Sequence, residues 1–265
     1  MGVNCVVYSK DRPMQLDGLL RSIEANASGF FDSIRVLFRA NGEFEQGYDL
    51  VKIEHPNVFF VREQDFAEDT KLLLRGDFVC FLLDDDIVFR KILFKKDILA
   101  FFSRADVSCF SFRLGLNIDY CYSNDKTNTL SFHKKHDAFI SWKWQDEKLD
   151  FGYPLSITAH LFRAKDIRRW TNGLSFRNPN EYEGKLQTRL GEVQPVMISY
   201  TESRVVGLPV NLVNETTNNR HGLSRSYDVH DLNDRFLLGQ RIEIAKMDFS
   251  NIHAAQQELP YGFAT

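Results

Sequence analysis

The chain has 265 residues, 43% of them hydrophobic and 23 of them phenylalanine, which is enough to bury a sizeable core and too apolar for a disordered segment. Its formal net charge of −3 leaves no basic footprint for a nucleic-acid backbone, so no nucleic-acid partner is expected. Cys5, Cys80, Cys109 and Cys121 are scattered without a C-x-x-C spacing, and no apolar stretch approaches the ~20 residues of a membrane span. Met1–Ser9 is too short for a signal peptide and runs straight into Lys10, Asp11 and Arg12, so the reading is a cytoplasmic protein with reduced thiols and no transmembrane segment.

Val3–Tyr8 (V-N-C-V-V-Y) has the composition of a first strand, and Ser9–Pro13 breaks it, with Ser9 or Asp11 placed to cap a helix. Met14–Ala27 carries apolar residues at Leu16, Leu19, Leu20 and Ile23, a helical stripe. Ile34–Phe38 and Val58–Val61 read as strands, Phe66–Leu74 as a helix and Phe78–Leu83 as a buried central strand. This alternation predicts a parallel sheet built from right-handed crossovers. Ligands of such sheets sit at the carboxyl ends of the strands, here Tyr8–Arg12, the region near Asn41, Glu63–Asp65 and Asp84–Asp86.

Beyond residue 90 the pattern changes. Lys91–Ser103 reads as a helix, Val107–Phe112 as a strand, Asn117–Asp137 as a polar excursion and Ala138–Trp144 as an antiparallel strand. Leu155–Arg163 reads as a strand, Ala164–Gly173 and Tyr182–Leu190 as helices, and Val205–Val213 as a late strand. A long polar loop, Asn214–Asp228, precedes a helix over Asp231–Leu238. No repeat or linker divides the chain, so a single domain over 1–265 is expected.

Asp84, Asp85 and Asp86 end the central strand. Three adjacent carboxylates oppose one another's ionisation, and a hard divalent cation such as Mg²⁺ or Mn²⁺ relieves that repulsion. The order Y-S-K-D-R-P, a helix with L-x-x-L-L-x-S-I, two further strands, then F-L-L-D-D-D-I-V-F resembles the nucleotide-sugar-binding half of GT-A-fold glycosyltransferases, especially the family 2-like bacterial and viral enzymes. The resemblance implies an α/β, Rossmann-like fold: a mostly parallel central sheet with helices on both faces and a smaller antiparallel sheet on the acceptor side. Residues 1–90 would then bind the nucleotide sugar and 91–265 the acceptor.

The resemblance carries a D-x-D motif onto Asp84–Asp86, with Asp84 and Asp86 as the outer pair of metal ligands and Asp84 and Asp85 facing the donor. It makes the turn holding Tyr8, Ser9 and Arg12 a nucleotide contact, and Asn41 lies at a neighbouring strand end. His221 is the candidate for a late metal ligand, with His230 and His253 as alternatives. Arg220 and Arg225 could neutralise the diphosphate. An inverting transferase also needs a general base. In such enzymes it opens a short helix about a hundred residues after D-x-D, which points to Glu183, with Glu181 close behind; the usual Glu-Asp pair is here Glu-Tyr-Glu, so either carboxylate could reach the acceptor.

Trp142 and Trp144 could floor an acceptor site, as pyranose faces pack on aromatic rings. His160, within an apolar run, reads as a core residue. The implied activity is hexosyl or pentosyl transfer from a nucleotide-diphosphate sugar to a glycan or glycoconjugate. A nucleotidyltransferase or another nucleotide-sugar enzyme would share the metal and the sheet, and a non-catalytic binding module would not need Glu181 or Glu183.

Overall fold

A computed structural model describes residues 1–213 and 220–265. The first half follows the expected alternation: β1 (Val3–Lys10), α1 (Pro13–Asn26), β2 (Ser33–Arg39), α2 (Glu45–Glu54), β3 (Phe59–Arg62), α3 (Phe66–Leu73), β4 (Phe78–Leu83) and β5 (Asp86–Val88). The second half adds α4 (Lys95–Phe101), β6 (Val107–Ser111), β7 (Tyr120–Cys121), β8 (Lys126–Thr127), β9 (Lys134–His136), β10 (Phe139–Lys143) and β11 (His160–Arg163). After these come α5 (Ala164–Thr171), α6 (Pro179–Leu186), β12 (Val196–Tyr200), β13 (Val205–Gly207), α7 (Val229–Leu237), β14 (Arg241–Ile242) and β15 (Phe263–Ala264).

Nine strands form one sheet in the order β3-β2-β1-β4-β11-β6-β12-β10-β9. Parallel pairing joins β3, β2, β1 and β4, and again β6 with β12; β11 and β10 run against the others. The sheet is therefore mostly parallel in direction. A small separate antiparallel ribbon pairs β5 with β13. β1 and β4 lie at the centre and are buried along nearly their whole length, as their unbroken apolar sequence requires. The chain leaves β1 for β2 on one side and returns to β4 on the other, so the crevice between the ends of β1 and β4 is the switch point where ligands of open α/β sheets bind.

Several local expectations are corrected. Neither Ser9 nor Asp11 caps α1: Pro13 opens the helix and Arg12 holds the cap position without a side-chain bond. Asp11 sits at φ 53° and accepts from the Asn41 backbone N–H (2.7 Å) and side-chain amide (2.6 Å), tying the end of β1 to the end of β2.

The predicted strand over Leu155–Arg163 is regular only from His160. Its first part is buried but irregular, with Ala159 at φ 53° and the Ile157 N–H turned to a side chain. Likewise only Val205–Gly207 of the expected late strand pairs, and the chain then runs on past Arg12. α2 and β12 have no counterpart in the sequence reading. α2 shows a thin apolar stripe, burying only Gly47, Tyr48 and Val51. Gly47 is needed there, because a Cβ would come within 2.5 Å of Pro13 Cγ.

Candidate active site

The crevice at the strand ends is a cavity of about 880 Å³. Of the residues expected in the site, Tyr8, Ser9, Arg12, Asp84, Asp85, Glu183, Arg220 and His221 line it. Asn41, Asp86 and Glu181 do not. Asn218 and Asn219, which flank His221 in the sequence reading, lie outside the described residues.

The aspartate run divides at a turn. β4 ends at Leu83, Asp84 and Asp85 make the turn, and Asp86 begins β5. Asp84 accepts from the Lys10 N–H (3.1 Å) and from Arg12 Nη1 (3.0 Å), and the same Nη1 reaches Asp85 Oδ2 at 3.1 Å. Arg12 is itself buried and donates through Nη2 to the Asn211 carbonyl at 2.7 Å, so its guanidinium is locked between the two carboxylates. Burial raises the Asp84 carboxyl to about 6 against the pull of Arg12.

Asp86 takes a different course. It is fully buried, accepts the Leu83 N–H at 2.8 Å, and lies opposite Gly207. A Cβ on Gly207 would stand 3.3 Å from Asp86 Oδ1, an oxygen with no partner among the described residues. Burial, with Asp85 nearby, pushes its pKa well up. The expected outer pair is thus split: Asp84 faces the cavity and Asp86 lies beneath it.

Another part of the wall is carried by α6. Asn178 caps the helix by accepting the Glu181 N–H at 2.9 Å, and Pro179 follows at the first turn. Tyr182 anchors it, fully buried, stacked on Phe176 at 4.3 Å and bonded to Thr171 Oγ1 at 2.7 Å. Glu183 then enters the cavity, its Oε2 accepting the Ile157 N–H at 2.9 Å and the Ser156 hydroxyl at 3.3 Å. The Tyr153 hydroxyl bonds to it as well. Burial raises the Glu183 pKa, with Arg113 and these hydrogen bonds opposing. Glu181, on the other side of Tyr182, pairs with Arg177, which holds its pKa down.

Other walls come from residues that carry no motif. Arg113, buried, pairs with Asp150 at 3.1 Å, and Asn128 donates to the second Asp150 oxygen at 3.0 Å. Lys10, Tyr153, Arg177, Asn178 and Asn180 also line the cavity. Arg220 donates to the Tyr120 hydroxyl (2.6 Å) and the Tyr122 carbonyl (2.8 Å).

The alternative histidines sit elsewhere, His230 against Glu43 at 3.0 Å and His253 against Asp119 at 3.1 Å. Trp142 and Trp144 do not floor the cavity; their indole N–H groups bond the Phe151 and Gln194 carbonyls. His160 is wholly buried with Nδ1 3.3 Å from the Pro154 carbonyl, and burial drives its pKa well down. All four cysteines are free and buried.

Among the described residues, the one trio whose ligand atoms lie within 4.8 Å of one another is Asp17, Glu54 and His55. There Asp17 is already paired with Arg21 at 2.8 Å, with Arg241 also nearby, so the trio is an ion-pair network rather than a cation site. Among the described residues no helix is long and apolar enough to cross a membrane.

No protein-family model matches the chain. It is 26% identical over 211 residues to the bifunctional glycosyltransferase pgtA of Dictyostelium discoideum, an alignment covering 69% of this chain and 27% of that protein. The chain therefore spans about a quarter of this curated relative. Among solved structures it is similar to S. aureus TarS 1-349 in complex with UDP-GlcNAc, with a TM-score of 0.53, 14% identity, and coverage of 90% of this chain and 65% of that one. A second structure of TarS 1-349 gives a TM-score of 0.51 at 14% identity, covering 77% of this chain and 60% of that one. The chain has the GT-A-like α/β fold that its sequence resemblance implied.

Proposed function

We propose that the chain is a glycosyltransferase that moves a sugar from a nucleotide-diphosphate donor to a hydroxyl of a glycan or glycoconjugate. The observation that carries this reading is that one cavity is lined both by Glu183, fixed by the Ile157 N–H at 2.9 Å, and by Asp84 and Asp85 with Arg12 between them. The sequence likeness to a bifunctional glycosyltransferase supports it. The likeness in fold to TarS, solved with UDP-GlcNAc, makes UDP-sugars the first donors to try.

In this reading Glu183 takes the proton of the acceptor hydroxyl as its oxygen forms the new bond to the anomeric carbon. The bond from that carbon to the phosphate oxygen breaks, and its electron pair leaves with the nucleoside diphosphate. One displacement by one base inverts the anomeric centre. A raised pKa brings a carboxylate nearer the working pH and makes it a better proton acceptor; burial supplies that rise, and the Ile157 and Ser156 donors and the Arg113 charge oppose it.

Lys10 and Arg220 are among the cationic side chains that line the cavity and would neutralise a departing diphosphate. Asp84 and Asp85 offer hard oxygens of the kind that suit Mn²⁺ or Mg²⁺, but Arg12 already bridges the two and Asp86 is buried outside the cavity lining, so a cation there would share these carboxylates with Arg12 and complete its shell on donor oxygens. When bound, such a cation supplies charge stabilisation to the leaving phosphate.

Glu183→Gln tests the assignment. It keeps the Ile157 contact but removes the base, so nucleotide binding should persist while turnover falls by about 10²- to 10⁴-fold. Unchanged turnover in this variant would mean that another group, or another chemistry, takes the proton.

A further inference from the structure

The loop that brings Arg220 and His221 to the cavity is fastened by a residue outside it. Glu258 accepts through Oε1 from the Leu223 N–H at 2.8 Å, and through Oε2 from the Ser224 N–H (2.6 Å), the Ser224 hydroxyl (2.7 Å) and the Arg225 N–H (2.6 Å). The Tyr122 hydroxyl also donates to Oε1. Three consecutive backbone N–H groups around one carboxylate make a charge-assisted anchor. These bonds hold Glu258 ionised, its pKa lowered to about 2.

The contact between Arg220 and Tyr122 depends on this anchor at both ends. Arg220 donates to the Tyr122 carbonyl and lies over the Tyr122 ring, 4.8 Å from its centre, and the Tyr122 hydroxyl is held by Glu258. Glu258 itself is presented from a segment tied to β13 and β7: the Gly207 N–H donates to the Ala255 carbonyl at 3.0 Å, the Gln257 N–H donates to the Gly207 carbonyl at 2.9 Å, and Ala254 bridges to Tyr120. A second cavity, of about 240 Å³, lies along the same loop and is lined by Tyr122, Leu223, Ser224 and Glu258. It is space into which a released loop could relax.

We infer that Glu258 is a positioning residue that latches the 220–225 loop as a wall of the active cavity, and so sets the place of Arg220 beside the donor diphosphate. The donor part of this inference rests on the proposed function; the latch does not. The experiment is hydrogen–deuterium exchange on the full chain, wild type against Glu258→Ala and the milder Glu258→Gln, with binding of UDP, GDP and dTDP in Mg²⁺ measured by calorimetry on the same proteins and on Arg220→Ala.

The amides of Leu223, Ser224 and Arg225 should exchange at least about tenfold faster in both Glu258 variants while the strands of the central sheet stay protected, which also shows that the variants fold. Diphosphate affinity should fall about tenfold, and adding Glu258→Ala to Arg220→Ala should lower it no further, since the two act through one contact. Unchanged exchange at those three amides, or losses that multiply in the double variant, overturns the inference. A wild type that binds none of the three diphosphates, while the three amides still loosen on substitution, supports the latch and overturns the donor reading.

Discussion

Glu181 and Glu183 stand two positions apart and meet different surroundings because Tyr182 between them is driven into the core. On a helix, two residues are separated by about 200°, so burying the middle one splays its neighbours to opposite flanks. Glu183 reaches the cavity and Glu181 reaches Arg177. Under the proposed function, Glu181→Gln should leave turnover within about twofold of wild type, in contrast to Glu183→Gln; steady-state kinetics on the pair separates them. The sequence put Glu183 first and Glu181 close behind on position alone; what separates them physically is the direction of Tyr182, which only the fold gives.

The same limit applies to Asp86, whose burial follows from β5 pairing with β13, a contact more than a hundred residues away in sequence. His160 was legible as a core residue from its apolar neighbours. Its imidazole is buried with a pKa well below 6.5, so the unfolded chain binds the proton that the folded chain refuses. Stability should therefore fall as pH drops through about 6.5, and a neutral His160→Gln should flatten that slope in denaturant melts between pH 7.5 and 5.

Elements with strong periodicity were read correctly because burial of one face leaves its imprint on the sequence, as in α1 and β4. α2 escaped because its contact with α1 is a close backbone approach at Gly47 rather than a broad apolar face. Gly47→Ala should cost about 1–3 kcal/mol in thermal or denaturant unfolding, as its methyl group would collide with Pro13. β12 was missed although V-M-I-S-Y has strand composition; Pro195 stands at its entrance, and its pairing with β6 and β10 joins segments far apart in the chain.

Site geometry is also an element-level property. Asn178→Ala removes the cap of α6 and should cost about 1 kcal/mol, with a loss of turnover larger than any loss of nucleotide affinity, because the first turn of that helix sets the height of Glu183. Kinetics and calorimetry on the same variant check both halves.

At the scale of the molecule, the sheet order makes a crevice at the ends of β1 and β4, and the second half of the chain closes it with α6, the irregular segment before β11 and the 220–225 loop. The wall built from Tyr8–Arg12 and Asp84–Asp85 was legible because each part lies within a short pattern of strand, turn and charged residues. Arg113, Asp150 and Tyr153 were not, because they converge only through tertiary packing and carry no spacing signature.

The central claim is that this crevice holds a nucleotide-sugar donor opposite a carboxylate base. NMR of the anomeric proton during incubation of the full chain with UDP-, GDP- and dTDP-sugars, with Mn²⁺ or Mg²⁺ and a glycan acceptor panel, tests it most directly. The account predicts consumption of one donor with an inverted glycosidic product, abolished by Glu183→Gln while that variant still binds the nucleotide. A retained anomeric configuration, or turnover undiminished in Glu183→Gln, would contradict it.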